Sequence, residues 1–80
     1  MDIVEFSSEF IKLGQALKLA NLVDNGGLAK AVINDGLVSV DGEVDTRRGR
    51  KLFGGEIIEF EGQQVKVVNN VHRDNWIKRL

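Results

Sequence analysis

The densest chemical signal in the chain is the run Arg47-Arg48-Gly49-Arg50-Lys51. It gathers four of the eleven lysines and arginines into five positions. Like charges held this closely repel one another, and an anionic partner relieves that repulsion. Arginine presents a planar fork that grips a phosphate in two places and stacks on unpaired bases. Gly49 adds no side chain to keep a ligand from the backbone. The loop therefore suits RNA or another polyanion. The simpler alternative is a solvated loop balanced by Glu43, Asp45 or Glu56. The loop side chains are expected in solvent, so removing them should leave the fold intact.

A second signal lies upstream. Lys12, Lys18 and Lys30 are basic, and Asp24 is the only acid between Lys12 and Asn34. A helix beginning at Gly27-Leu28 would offer free backbone N–H groups and the positive end of its dipole to an anion. Gly27 has no side chain to block a phosphate there, and Lys30 follows one turn on. The plainer alternative is that Gly26-Gly27 only shapes a turn.

Other residues carry less. The Gly26-Gly27 pair lacks the spacing of a phosphate-binding or dinucleotide-binding loop. His72 has no nucleophile or paired carboxylate in a recognisable arrangement, so it is expected on the surface and no catalytic residue is assigned. Glu56, Glu59 and Glu61 read as a solvated face, and one histidine without cysteines cannot build the usual zinc site. Trp76 is expected to cap the core. Neither a metal nor an organic cofactor is implied.

The elements that must position these residues follow from periodicity. Ile3-Val4-Glu5-Phe6 suits a strand, interrupted by Ser7-Ser8. Leu13, Ala16, Leu17 and Ala20 recur at helical steps, which predicts a helix ending near residues 21–23. Asp24-Asn25-Gly26-Gly27 is a turn in which Gly26 or Gly27 takes the left-handed conformation that stops a helix. A second helix runs from about Leu28 to Asn34, and Gly36 ends it. Val38 and Val40 then alternate with Ser39, and Asp41-Gly42 is a strong two-residue hairpin signal leading into Glu43-Val44-Asp45. Residues 46–51 form a polar loop and Gly54-Gly55 a turn. Residues 56–60 read as a strand, and Glu61-Gly62 turns the chain into a last strand over 64–68. The tail, 69–80, is ambiguous, with a short helical stripe through Trp76, Ile77 and Leu80. This is an α+β domain, a helix-turn-helix pair packed on a small, curled, mostly antiparallel sheet.

Eighty residues make a single domain. Hydrophobic residues at 42% and charged residues at 29% fit a globular chain rather than a disordered one. The net charge of −1 makes the local basic cluster, not the total, the argument for a polyanion. The absence of cysteine in so short a chain suggests a reducing, cytoplasmic setting. The first residues do not read as a secretory signal, and no apolar run is long enough to span a bilayer.

The stretch from Ala29 to Gly42, Ala-Lys-Ala-Val-Ile-Asn-Asp-Gly-Leu-Val-Ser-Val-Asp-Gly, resembles the core of the S-four RNA-binding domain, named after ribosomal small-subunit protein four. That family shows an alanine, an aliphatic residue four positions later, a glycine three further on, and a strand closed by Asn-Gly or Asp-Gly. Lys12-Leu13, Leu17 and Leu22 fall where its first helix carries a basic residue and leucines. Gly54-Gly55-Glu56-Ile57-Ile58 resembles its closing step. The likeness covers about residues 12–60. It is strongest to the small free-standing bacterial members, which carry Lys-Leu-Gly-Gln, Gly-Gly and Arg-Arg-Gly-Arg-Lys, as here at 12–15, 26–27 and 47–51. Many members have an acid at the position of Gly14 and a base at that of Gly26, so this chain has a thinner positive surface there.

The resemblance implies a non-enzymatic, ribosome-associated module for structured RNA, either ribosomal RNA or tRNA, read by shape. Its RNA-facing residues would be Lys12, Lys18, Gly27, Lys30, Arg47, Arg48, Arg50 and Lys51. A monomer is expected, without a membrane partner or an attached catalytic domain. The rival reading is a protein-interaction module in which the same basic loop docks an acidic partner.

Overall fold

The computed structural model describes residues 1–70. The expected roles of His72 and Trp76 lie outside the described residues. The chain runs β1 (Asp2–Phe6), β2 (Ile11–Lys12), α1 (Leu13–Leu19), α2 (Gly26–Asn34), β3 (Val38–Val40), β4 (Glu43–Val44), β5 (Lys51–Leu52), β6 (Ile57–Phe60) and β7 (Gln63–Asn69). Five strands form one sheet in the order β1-β7-β6-β3-β4, and β2 pairs with β5 in a separate two-stranded ribbon. All pairings are antiparallel except β1 with β7. The α+β architecture thus holds, with a parallel edge strand added.

The alternation of side chains puts one face of the sheet inside. Val4 lies opposite Val67, and Ile58 opposite Val65, all buried. Leu13, Ala16 and Leu17 from α1 and Ala29, Val32 and Ile33 from α2 complete the same core. Each fully buried aliphatic side chain contributes on the order of 1.5–3 kcal/mol, so this one cluster dominates the stability of the domain.

The helix ends differ from the sequence reading. Gly26 and Gly27 do not stop a helix; they are the first two residues of α2. The first helix stops earlier, with Asn21 in the left-handed region at φ 60°. There the Leu22 N–H donates to the Leu17 carbonyl at 3.0 Å and the Asn21 N–H to that of Lys18 at 3.0 Å. Gly36, at φ 75°, closes α2 with the same pair of bonds, Leu37 to Val32 and Gly36 to Ile33, both 3.1 Å. Asparagine is the non-glycine residue that tolerates this conformation, which explains how Asn21 substitutes for glycine.

At the other end of α2, Asn25 is the N-cap. Its side-chain Oδ1 accepts the Leu28 N–H at 2.8 Å. Replacing this acceptor removes about 1 kcal/mol. Asn25→Ala should therefore lower the melting temperature by roughly 4–8 °C, measured by circular dichroism; an unchanged melt would contradict the capping role.

Both hairpin turns behave as the sequence predicts. Asp41 and Gly42 have φ of 52° and 86°, and Glu61 and Gly62 have 52° and 78°. Positive φ at both central residues matches the twist of the flanking strands.

Candidate functional site

The basic loop spans residues 46–50, between β4 and β5. Its shape is set by a carboxylate. Asp45 is buried, with 5% of its surface exposed. Its Oδ1 accepts the Arg47 backbone N–H at 2.9 Å and Arg47 Nε at 3.0 Å. Its Oδ2 accepts Arg47 Nη2 and Arg50 Nη1, each at 2.8 Å. The bonds from the Arg47 side chain chiefly hold the Asp45 carboxyl far below its ordinary 3.8. Burial opposes them, and the Arg47 backbone N–H and the Arg50 guanidinium add to the lowering.

This corrects the expectation that all the loop side chains stand free in solvent. The Arg50 side chain is only 28% exposed, and both Arg50 and Arg47 are tied to Asp45. Of the three acids weighed as balancing charges, Asp45 is the one that pairs with the loop.

The loop also caps α1. The Leu13 N–H donates to the Arg50 carbonyl at 2.9 Å and the Gly14 N–H to the Arg48 carbonyl at 3.1 Å. These bonds take two of the four backbone donors that a helix start leaves unpaired. The loop backbone, rather than an external anion, occupies them. Gly14 makes the close approach possible, since a Cβ there would lie 2.8 Å from Arg48 Cγ.

The result is a cleft of about 280 Å³ between three segments. Lys12 and Lys18 reach it from the start and the far turn of α1, and Arg48 from the loop. Gln15 adds an amide, and Gly14, Gly26, Ala29 and Gly49 leave it open. Among the described residues no carboxylate pairs with Lys12, Lys18 or Arg48. Three cations without a carboxylate partner among the described residues, set around small residues, give the cleft a positive lining of the kind that attracts anions. No group of residues suited to hold a metal ion occurs among the described residues.

The remaining expected residues fall around this cleft. Gly26, not Gly27, lines it, and Gly27 follows as the second residue of α2. Lys30 is exposed on α2 outside the cleft lining. Lys51 belongs to β5 rather than to the loop, opposite Lys12 of β2. Its Nζ lies 4.7 Å from the centre of the Phe10 ring. Gln15 and the positioning role of Asp45 were not singled out from sequence. Their signals were weak: one glutamine in a helical stripe, and one acid just before a basic run.

The S4 domain family model matches residues 4–68, which includes every residue of the cleft. The chain belongs to the S4 domain family. Among its relatives is a probable ribosome maturation protein, RlbA, of Bacillus subtilis (strain 168). It is 46% identical over 59 residues, covering 74% of this chain and 83% of the relative. A putative RNA-binding protein, YbcJ, of Escherichia coli (strain K12), is 40% identical over 58 residues, covering 72% and 83%. The solution structure of E. coli YbcJ, described as revealing an ALFAL motif involved in RNA-binding, superimposes with a TM-score of 0.62 at 35% identity. That match covers 85% of this chain and 90% of YbcJ. The helix pair beside the cleft, and the sheet it packs on, are therefore those of an S4 domain. No helix among the described residues is long and apolar enough to cross a membrane.

Proposed function

We propose that this chain is a non-enzymatic, cytoplasmic RNA-binding module that takes the phosphate backbone of structured RNA into the cleft. The observation that carries the reading is the convergence of Lys12 and Lys18, from the two ends of α1, with Arg48 of the loop, with no carboxylate among them. Contacts of this kind position a nucleic acid by its backbone and do not read its bases. Lys30 on α2 and Lys51 opposite Lys12 add to the positive surface, while Arg47 and Arg50 shape the loop through Asp45. Gly26 and Gly27 leave the start of α2 open to close approach.

Ribosomal RNA is the RNA class best supported, because a relative 46% identical is described as a probable ribosome maturation protein. Crosslinking in a bacterial lysate, followed by sequencing of the bound RNA, tests this. Enrichment of ribosomal RNA is the expected outcome. Enrichment of tRNA would redirect the assignment, and recovery of proteins without RNA would favour docking of an acidic protein on the same loop.

A further inference from the structure

Beside the cleft the surface turns aromatic. Phe53, just after β5, is 51% exposed, and Phe10, just before β2, is half-buried. Their ring centroids are 6.2 Å apart and the planes are tilted by 58°. Lys51 places its ammonium over the Phe10 ring, leaving Phe53 as the more open ring. The backbone that carries Phe53 is held at three points. Its N–H and that of Gly54 donate to the Glu56 carboxylate at 2.9 and 2.8 Å, and its carbonyl accepts from Asn69 Nδ2 at 3.0 Å. A large apolar ring in water is thus presented on a fixed backbone, which lowers the entropic cost of binding through it.

The patch is continuous with the cleft. Phe10 lines a shallow concavity whose wall includes Gln15 and Lys18, and these two residues also line the cleft. Lys12 and Lys51 stand directly opposite each other across the β2–β5 pair. Like charges in that arrangement destabilise a ribbon, and an anion bridging them relieves the strain. Cations alternating with an exposed aromatic ring match a nucleotide, whose phosphate is charged and whose base has an apolar face.

We propose that Phe53, backed by Phe10, is a stacking platform for one unpaired base of the bound RNA, with the adjoining phosphate held at Lys51 and Lys12. The domain then prefers a helical RNA next to a single-stranded segment over a fully paired one. This rests on the RNA-binding reading above and adds a base-level contact to it. Stacking of a base on an aromatic side chain is sequence-tolerant and makes a difference of roughly tenfold in affinity.

The test compares a blunt RNA hairpin with the same hairpin carrying a short unpaired adenosine extension, both titrated by fluorescence anisotropy. The full chain should bind the extended hairpin about tenfold more tightly. Phe53→Ala should bring that ratio close to one. Phe53→Tyr, which keeps a ring, should retain the preference, and Phe53→Leu, which keeps only apolar bulk, should lose it. Arg48→Ala should weaken both RNAs together and leave the ratio in place. A ratio near one for the unaltered chain, with both RNAs bound, overturns the platform while leaving the RNA reading standing. So does a preference that survives Phe53→Ala or Phe53→Leu. If the unaltered chain binds neither RNA, both readings fall.

Discussion

Removing the three cleft cations together, as Lys12→Ala, Lys18→Ala and Arg48→Ala, should abolish measurable RNA binding while the fold survives. If each of these cations neutralises one phosphate, counterion release makes their joint share of the log–log salt slope about −2.7. Raising salt from about 50 to 200 mM would then weaken binding by the unaltered chain at least roughly 40-fold. At the lower salt each contact contributes about a factor of ten, so the triple variant should lose on the order of 10³ in affinity. Arg48→Ala alone should flatten the slope by about one unit. Because phosphates are the contacts, the loss should be similar for different RNA sequences of one shape. The three side chains belong to exposed residues and pair with no carboxylate among the described residues. Stability should therefore change by no more than about 0.5 kcal/mol per site, which thermal melts will check. Binding by the triple variant at the strength of the unaltered chain would remove the cleft from the site. Binding indifferent to salt would count against phosphate contacts at the cleft.

Much of this site was legible in the sequence, because its signals are local. A basic run is visible wherever it lies, and an Asp-Gly between alternating valines specifies a hairpin by backbone chemistry alone. The helix stripe of Leu13, Ala16 and Leu17 predicted which face is buried, and all three are buried. What was not legible depends on contacts between distant segments. The β2–β5 pair has two residues on each side and no alternation long enough to detect, yet it brings Lys12 opposite Lys51. The end of the first helix near residue 21 was legible, but the left-handed residue was sought at Gly26-Gly27 and lies at Asn21, whereas glycines are also admitted at a helix start. Above all, the sequence shows four loop cations as equals. Only burial separates them, because an acid hidden beneath the loop can claim two of them and leave the others outward.

That division makes a second strong expectation, at Asp45. Asp45→Asn keeps the shape of the side chain but sets a neutral amide against two guanidinium groups. A buried charge pair broken on one side costs several kcal/mol, and the 70% exposure of the Arg47 side chain argues for a smaller loss, about 2 kcal/mol. The melting temperature near neutral pH should fall by roughly 8–16 °C. The pH dependence fixes the cause. The folded-state carboxyl of Asp45 is depressed below its ordinary 3.8, so its stabilisation is complete above that value and is lost as the pH falls through and below it. The gap between the unaltered chain and Asp45→Asn should therefore be constant from about pH 7 to 5 and narrow below about pH 4. A gap that stays constant through that acid range would mean that packing, not charge, holds the loop. A local readout separates loosening of the loop from global unfolding. The Leu13 and Gly14 N–H groups donate to loop carbonyls, so their hydrogen exchange should accelerate in Asp45→Asn before that of core strand amides such as Val65 and Val67. Arg48→Ala should show the reverse pattern, with RNA affinity lowered about tenfold while melting temperature and exchange at Leu13 are kept. Two cations one position apart, Arg47 and Arg48, would then differ in kind: the first holds the loop through Asp45, and the second is left free to meet a phosphate.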